Sequence, residues 1–99
     1  MSIESEFDWD PEKAETNLHK HGVSFPYATR VFLDLNRQER PDEGEYDGEE
    51  RWLVAGQVDD FVLVVVYTFR GEIIRLISAR RATRYEFIRY WQSRGQISS

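Results

Sequence analysis

Apolar and polar positions follow two different periods along this chain, and the switches between them outline its elements. Phe7 and Trp9 alternate with Asp8 and Asp10, the pattern of a short strand with one apolar face. Asp10 then reads as an N-cap, Pro11 as the first helical position and Glu12 as an early acid. That helix runs to about His21, with Gly22 as its left-handed C′ residue and a Leu18–Val23 contact closing the end. Ser24 caps a second helix with Phe25, Ala28, Val31 and Phe32 at helical spacing. Trp52, Val54, Gly56 and Val58 alternate with Arg51, Leu53, Ala55 and Gln57 as a strand, broken by Asp59-Asp60. Phe61 to Phe69 is β-branched and apolar on both faces, as a central strand is. Arg70-Gly71 turns the chain into E-I-I-R-L-I-S-A-R. Thr83 and Glu86 form a capping box opening a last helix through about Arg94, ended by Gly95, with Tyr85, Ile88 and Trp91 as its apolar stripe.

Short links make neighbouring strands antiparallel. The order predicts an α+β fold: a short N-terminal strand, two helices, a three- to four-stranded antiparallel meander and a C-terminal helix, with the helices covering one face. Ninety-nine residues fit one domain, 1–99. Residues 36–50 hold seven acids, one Pro and two Gly, a turn or acidic loop after an edge strand, and 96–99 form a tail. Trp9, Trp52 and Trp91 are expected in the core.

Charge changes the picture. Residues 70–99 hold seven arginines against Glu72 and Glu86, a balance of +5, whereas residues 1–69 hold six Lys/Arg against sixteen Asp/Glu, a balance of −10. The formal net charge of −5 therefore hides a basic site centred on I-S-A-R-R-A-T-R, residues 77–84. Guanidinium forks match phosphate oxygens, and the helix start at Thr83 adds backbone amides. The competing reading pairs these arginines with Glu49, Glu50 or Glu86. Alternation on a regular strand sets Arg75 on the face of Arg81, not of Arg80.

Other chemistry is sparse. Lys20 and His21 close the first helix, where cations complement the macrodipole, and His is also suited to proton transfer near neutrality. His19 points elsewhere and reads as solvated. Tyr67, ending the central strand, is a core-edge residue or a phenolic participant. The chain has no Cys, no H-E-x-x-H and no phosphate-binding glycine loop. No metal site or cofactor is expected. The acidic N-terminus does not read as a signal peptide, and the longest apolar run is far short of a membrane span, so a soluble, cytoplasmic protein is expected.

Taken together, F-D-W-D (7–10), N-L-H-K-H-G-V-S-F (17–25), G-E-E-R (48–51), V-V-V-Y-T-F-R-G (64–71) and R-L-I-S-A-R-R-A-T-R-Y-E (75–86) resemble the BrnT family of toxins from type II toxin–antitoxin pairs. The resemblance implies a RelE-like fold and a small ribonuclease that stops translation. It also implies a BrnA-like antitoxin of ribbon-helix-helix type, operator DNA bound only through that antitoxin, and a homodimer or a heterotetramer with it. Carried over, Lys20, His21, Arg51, Arg80 and Arg81 are the catalytic positions, and Glu50, Tyr67, Arg75 and Arg84 bind substrate. The implied reaction is metal-independent attack of a ribose 2′-OH on the adjacent phosphate, with Arg80, Arg81 and Arg51 on the phosphorane oxygens, His21 or Lys20 moving a proton, and Glu50 orienting Arg51. The chain departs from the family pattern in its acidic 42–50 loop. A second reading is an inactive toxin homologue that binds an antitoxin as a co-repressor module. A third, a direct DNA-binding regulator, lacks a basic recognition helix.

Overall fold

The computed structural model describes residues 6–44 and 48–94. Gly95, the 96–99 tail and positions 45–47 of the acidic loop lie outside the described residues. The elements are β1 (Phe7–Asp8), α1 (Pro11–His21), α2 (Phe25–Ala28) running into a 3₁₀ helix (Thr29–Leu33), β2 (Gln38–Asp42), β3 (Arg51–Val58), β4 (Phe61–Arg70), β5 (Ile73–Arg81) and α3 (Arg84–Ser93).

Local chemistry sets most boundaries as the sequence predicts. Asp10 accepts the Glu12 amide with Pro11 in the first turn, and Gly22, at φ 71°, donates to the Leu18 carbonyl to close α1. Thr83 and Glu86 make the full capping box of α3. The second helix differs. After one α-helical turn it tightens to 3₁₀ winding, yet Phe25, Ala28 and Val31 all remain buried. The tight segment presses on β3, where a Cβ at Gly56 would sit 3.0 Å from the Val31 carbonyl oxygen, so glycine is what admits this approach.

The sheet has five strands in the order β1-β5-β4-β3-β2. Four form the antiparallel meander, but β1 pairs parallel with β5, Phe7 opposite Ile74 and Asp8 opposite Arg75. The sheet is therefore mixed, because the long passage through α1 and α2 lets a non-local strand return beside the last one in the same direction.

Its inner face carries Val54, Val58, Leu63, Val65, Tyr67, Leu76 and Ala79, packed against Val23, Phe25, Ala28 and Val31 of the N-terminal helical segments. Trp9 and Trp52 pack around this core, whereas Trp91 stacks with Phe87 and Tyr90 on α3. The helices do not share one face. Val62 and Val64 are as buried as the core but point outward, and α3 crosses that outer face. Its inward side chain is Tyr90, 1% exposed, while Tyr85 of the expected stripe is 68% exposed. Polar anchoring explains the difference: the Tyr90 hydroxyl donates to Asp34, Gln38 donates to the Tyr90 carbonyl and Arg94 donates to Gln57. Burial pulls the Asp34 carboxyl upward, but hydrogen bonds from the Gln57 amide, Tyr90 and the Asn36 amide outweigh it and hold it below the usual range.

A bulge interrupts β5. Val66 faces Ser78 and Tyr67 faces Leu76, which leaves Ile77 as an extra residue. Alternation shifts by one there, so Arg75, opposite Thr68, and Arg80, opposite Val64, share the outer face. Arg81, opposite Leu63, points to the inner side. This reverses the expected grouping of Arg75 with Arg81.

Candidate active site

β1 covers only the first part of β5, and the remaining backbone edge is finished by a side chain of α1. Asn17, 6% exposed, donates to the Ala79 carbonyl at 2.8 Å and accepts the Ala79 amide at 3.0 Å. It also donates to the Val23 carbonyl at 3.0 Å. An amide side chain presents one donor and one acceptor in the geometry of a peptide, so Asn17 acts as a one-residue strand. Asp34 performs the related task on the other side of the sheet, taking the Gln57 amide of β3 beyond the reach of β2.

Residues three and four apart share a helix face, so Lys20 and His21 lie one turn beyond Asn17 on the side that meets β5. Ala79 is followed at once by Arg80 and Arg81. Gly22 and Val23, just past the end of α1, line the same cleft as Arg81, which fixes the end of β5 that α1 approaches. Lys20 and His21 at the end of α1, and Arg80 and Arg81 at the end of β5, thus belong to the two segments that the Asn17–Ala79 hydrogen bonds join.

The two arginines approach that edge from opposite faces. Arg80 forms a two-pronged pair with Glu86, at 2.7 and 3.0 Å, and Glu86 also accepts the Thr83 amide at 2.8 Å. The Arg80 guanidinium first, and then the Thr83 hydrogen bonds, hold the Glu86 carboxyl down at about 2, while Glu86 raises Arg80. Ion pairing of the basic segment is therefore real, with a carboxylate from its own helix cap. Arg81 is exposed, stacked 4.4 Å over the Phe61 ring, in a cleft with Leu18, Ser24 and Tyr27. Arg84 is exposed at the start of α3.

Glu86 supplies a pH-dependent contribution to stability. Its folded pKa lies near 2, below the ordinary 4.5, so the contribution is complete above about pH 4.5 and fades as pH falls toward 2. Glu86→Gln keeps the capping interaction and removes the charge. Urea midpoints followed from about pH 6 to about pH 3 should fall less steeply in that variant. Parallel curves for the two proteins would show that the pair does not contribute.

The remaining expected residues lie elsewhere. Arg51 faces outward opposite Asp42, and Glu49, not Glu50, pairs with it at 3.1 Å. Glu50 is exposed, and its backbone carbonyl accepts the Thr68 hydroxyl. Arg75 pairs with Asp8 at 2.6 Å. Arg51, Thr68, Arg75 and Asp8 form one row across the sheet, four residues along β4 from the Val64–Arg80 pair and therefore roughly 13 Å from it. Tyr67 is 2% exposed on the inner face and donates to Glu39 at 2.6 Å, and burial together with that carboxylate raises its hydroxyl pKa.

Sequence reasoning missed Asn17. Its signal was a poor helix former at an interior helical position, in line with His21 and Ala14 on the inward side. Among the described residues no three His, Asp or Glu side chains gather as a metal site, and no helix is long and apolar enough to cross a membrane.

Among curated proteins, none is similar enough to the chain to be matched. Residues 9–86 match the family model described as the ribonuclease toxin, BrnT, of type II toxin–antitoxin systems. That span begins just after β1 and takes in α1 to the first turn of α3, including Lys20, His21, Arg80 and Arg81. The chain therefore belongs to the BrnT family of ribonuclease toxins of type II toxin–antitoxin systems.

Proposed function

We propose that this protein is an endoribonuclease that cleaves RNA without a metal at the free edge of β5, and that a BrnA-like ribbon-helix-helix antitoxin neutralises it. The observation that carries this reading is the Asn17–Ala79 clamp, which sets the last turn of α1 against the strand end bearing two arginines. A proton acceptor and two guanidinium forks around one phosphate are the parts that internal transesterification needs.

In that reaction the 2′-oxygen loses its proton to His21 or Lys20 and bonds to phosphorus. The bond from phosphorus to the 5′-oxygen breaks, and that oxygen takes a proton from water. The products are a 2′,3′-cyclic phosphate and a 5′-hydroxyl. Arg80 and Arg81, reaching the phosphate from its two sides, stabilise charge on the non-bridging oxygens, and in this reading they do what a metal ion would otherwise do. Arg51 and Arg75 belong to a separate outer row and serve the flanking strand of RNA, with Glu50 next to Arg51 in the chain and Arg84 nearer the helix start; Tyr67 supports the sheet. The antiparallel meander behind N-terminal helices supports the RelE kinship. In this reading the enzyme arrests translation, operator DNA is bound only through the antitoxin, and the pair acts in the cytoplasm.

Purified protein incubated with end-labelled RNA in excess EDTA should yield fragments with cyclic phosphate ends, as sharply as with Mg²⁺ present. Cleavage abolished by EDTA and restored by a divalent ion would reject the metal-free mechanism. The engagement of both Arg80 prongs by Glu86 favours one alternative, a catalytically silent homologue acting as a co-repressor. No cleavage by folded protein over a broad set of RNAs, with antitoxin binding intact, would establish it.

A further inference from the structure

Beside Arg80 the outer face of the sheet and α3 enclose a groove of about 460 Å³ that no step of the cleavage uses. Its floor is Leu53, Ala55 and Val64, a flat apolar surface of the central strands. Tyr85 and Arg89 form the α3 wall, and Gln38 and Arg40 of β2 close the far side. Tyr85 is the most exposed large aromatic on this wall, 68% exposed, with the Arg89 guanidinium 5.6 Å from its ring centre. Arg40 and Arg89 have no carboxylate partner among the described residues. The sole acid in the lining, Glu86, is already paired with Arg80.

We propose that this groove is a nucleotide subsite that holds one base of single-stranded RNA, next to the phosphate on Arg80, stacked on Tyr85 over the apolar floor. The inference rests on the RNA-cleaving reading and names where the neighbouring nucleotide goes. An exposed aromatic ring flanked by guanidinium groups is the platform on which unpaired bases stack. The volume lies within the range of small-molecule pockets and suits a single nucleotide. Arg40 and Arg89 carry the charge that draws a polyanion to a chain whose net charge is negative. Gln38, whose amide nitrogen is held by the Tyr90 carbonyl, lines the groove and offers its amide oxygen to a base edge.

The test uses a fluorescent 2′-O-methyl oligonucleotide, which lacks the attacking hydroxyl and so reports binding alone, together with cleavage kinetics on the matching unmodified RNA. Tyr85→Ala should weaken binding by about ten- to a hundredfold. It should raise KM by a similar factor with kcat little changed. Tyr85→Trp should restore affinity, as a merely structural role at an exposed position would not. Arg40→Ala and Arg89→Ala should each weaken binding and flatten its salt dependence by about one charge. Unchanged oligonucleotide affinity in folded Tyr85→Ala overturns the subsite, and does so equally if that variant instead loses affinity for an antitoxin. Wild-type protein that cuts no RNA, yet binds the oligonucleotide through Tyr85, would uphold the subsite and reject the nuclease reading. Protein that cuts RNA with the same KM in both forms would do the reverse.

Discussion

If RNA is cleaved as proposed, the double variant Arg80→Ala, Arg81→Ala will fold normally and lose at least about a thousandfold in RNA cleavage, because in that mechanism each guanidinium serves one side of the phosphorane and neither can replace the other. Loss of a preorganised donor at a developing oxyanion typically costs about a hundredfold or more, and two such donors act on the same phosphate. Folding should survive. The Arg80–Glu86 pair is about one-third exposed on the arginine side, and pairs of this kind contribute at most about 1 kcal/mol. Arg81 is exposed and leaves only a ring contact behind. Lysine at either position restores charge without the planar fork, so it should recover binding better than rate. Single-turnover cleavage and growth arrest on induced expression report the loss, and circular dichroism reports the fold. Full toxicity in a well-folded double variant would remove both residues from the mechanism.

A comparable effect on stability is expected from Asn17→Leu, which keeps the number and branching of the side-chain heavy atoms, with bulkier methyl groups, and deletes every hydrogen bond the amide makes. Ala79 is wholly buried, so its amide and carbonyl would be left without partners, and the Val23 carbonyl would lose its donor. Unsatisfied buried groups cost about 1–3 kcal/mol each, and partial relaxation brings the expected loss to about 3 kcal/mol. Urea unfolding at constant m-value measures it. Asn17→Asp is the informative companion: it can still accept the Ala79 amide but donates to neither carbonyl. Cleavage should fall in both variants even where they remain folded, since Lys20 and His21 lose their register with β5. A loss below about 1 kcal/mol in the leucine variant would mean that the edge is held by something other than the clamp.

What the sequence discloses and what it hides divide along sequence distance. Both ends of α1 and the start of α3 are written locally, in Asp10-Pro11, Gly22 and the Thr83–Glu86 box, and so were legible. The Asp59-Asp60 and Arg70-Gly71 turns were legible for the same reason, and they deliver the meander. The parallel return of β1, the clamp from Asn17 to Ala79 and the anchoring of Tyr90 by Asp34 each join residues more than fifty positions apart, and no local pattern announces them. The bulge at Ile77 lies within β5 with no Gly or Pro to mark it, so simple alternation assigned Arg75 to the wrong face. The carboxylate on Arg80 was among those anticipated, because Glu86 was visible as a cap. That one side chain would cap the helix and grip the arginine at once could not be read from spacing.

The extra residue in β5 has a further consequence. It works as a joint that splits one long strand into two half-strands with independent phase. The first half is stitched to β1 through Phe7 and Asp8, and the second to α1 through Asn17. Ile77 lies between them, opposite neither Val66 nor Tyr67. Bulges absorb changes of length and direction that a regular ladder transmits along its whole extent. The half-strand that ends in Arg80 and Arg81 can thus be re-aimed by sequence changes near the joint, while the N-terminal half continues to serve as scaffold.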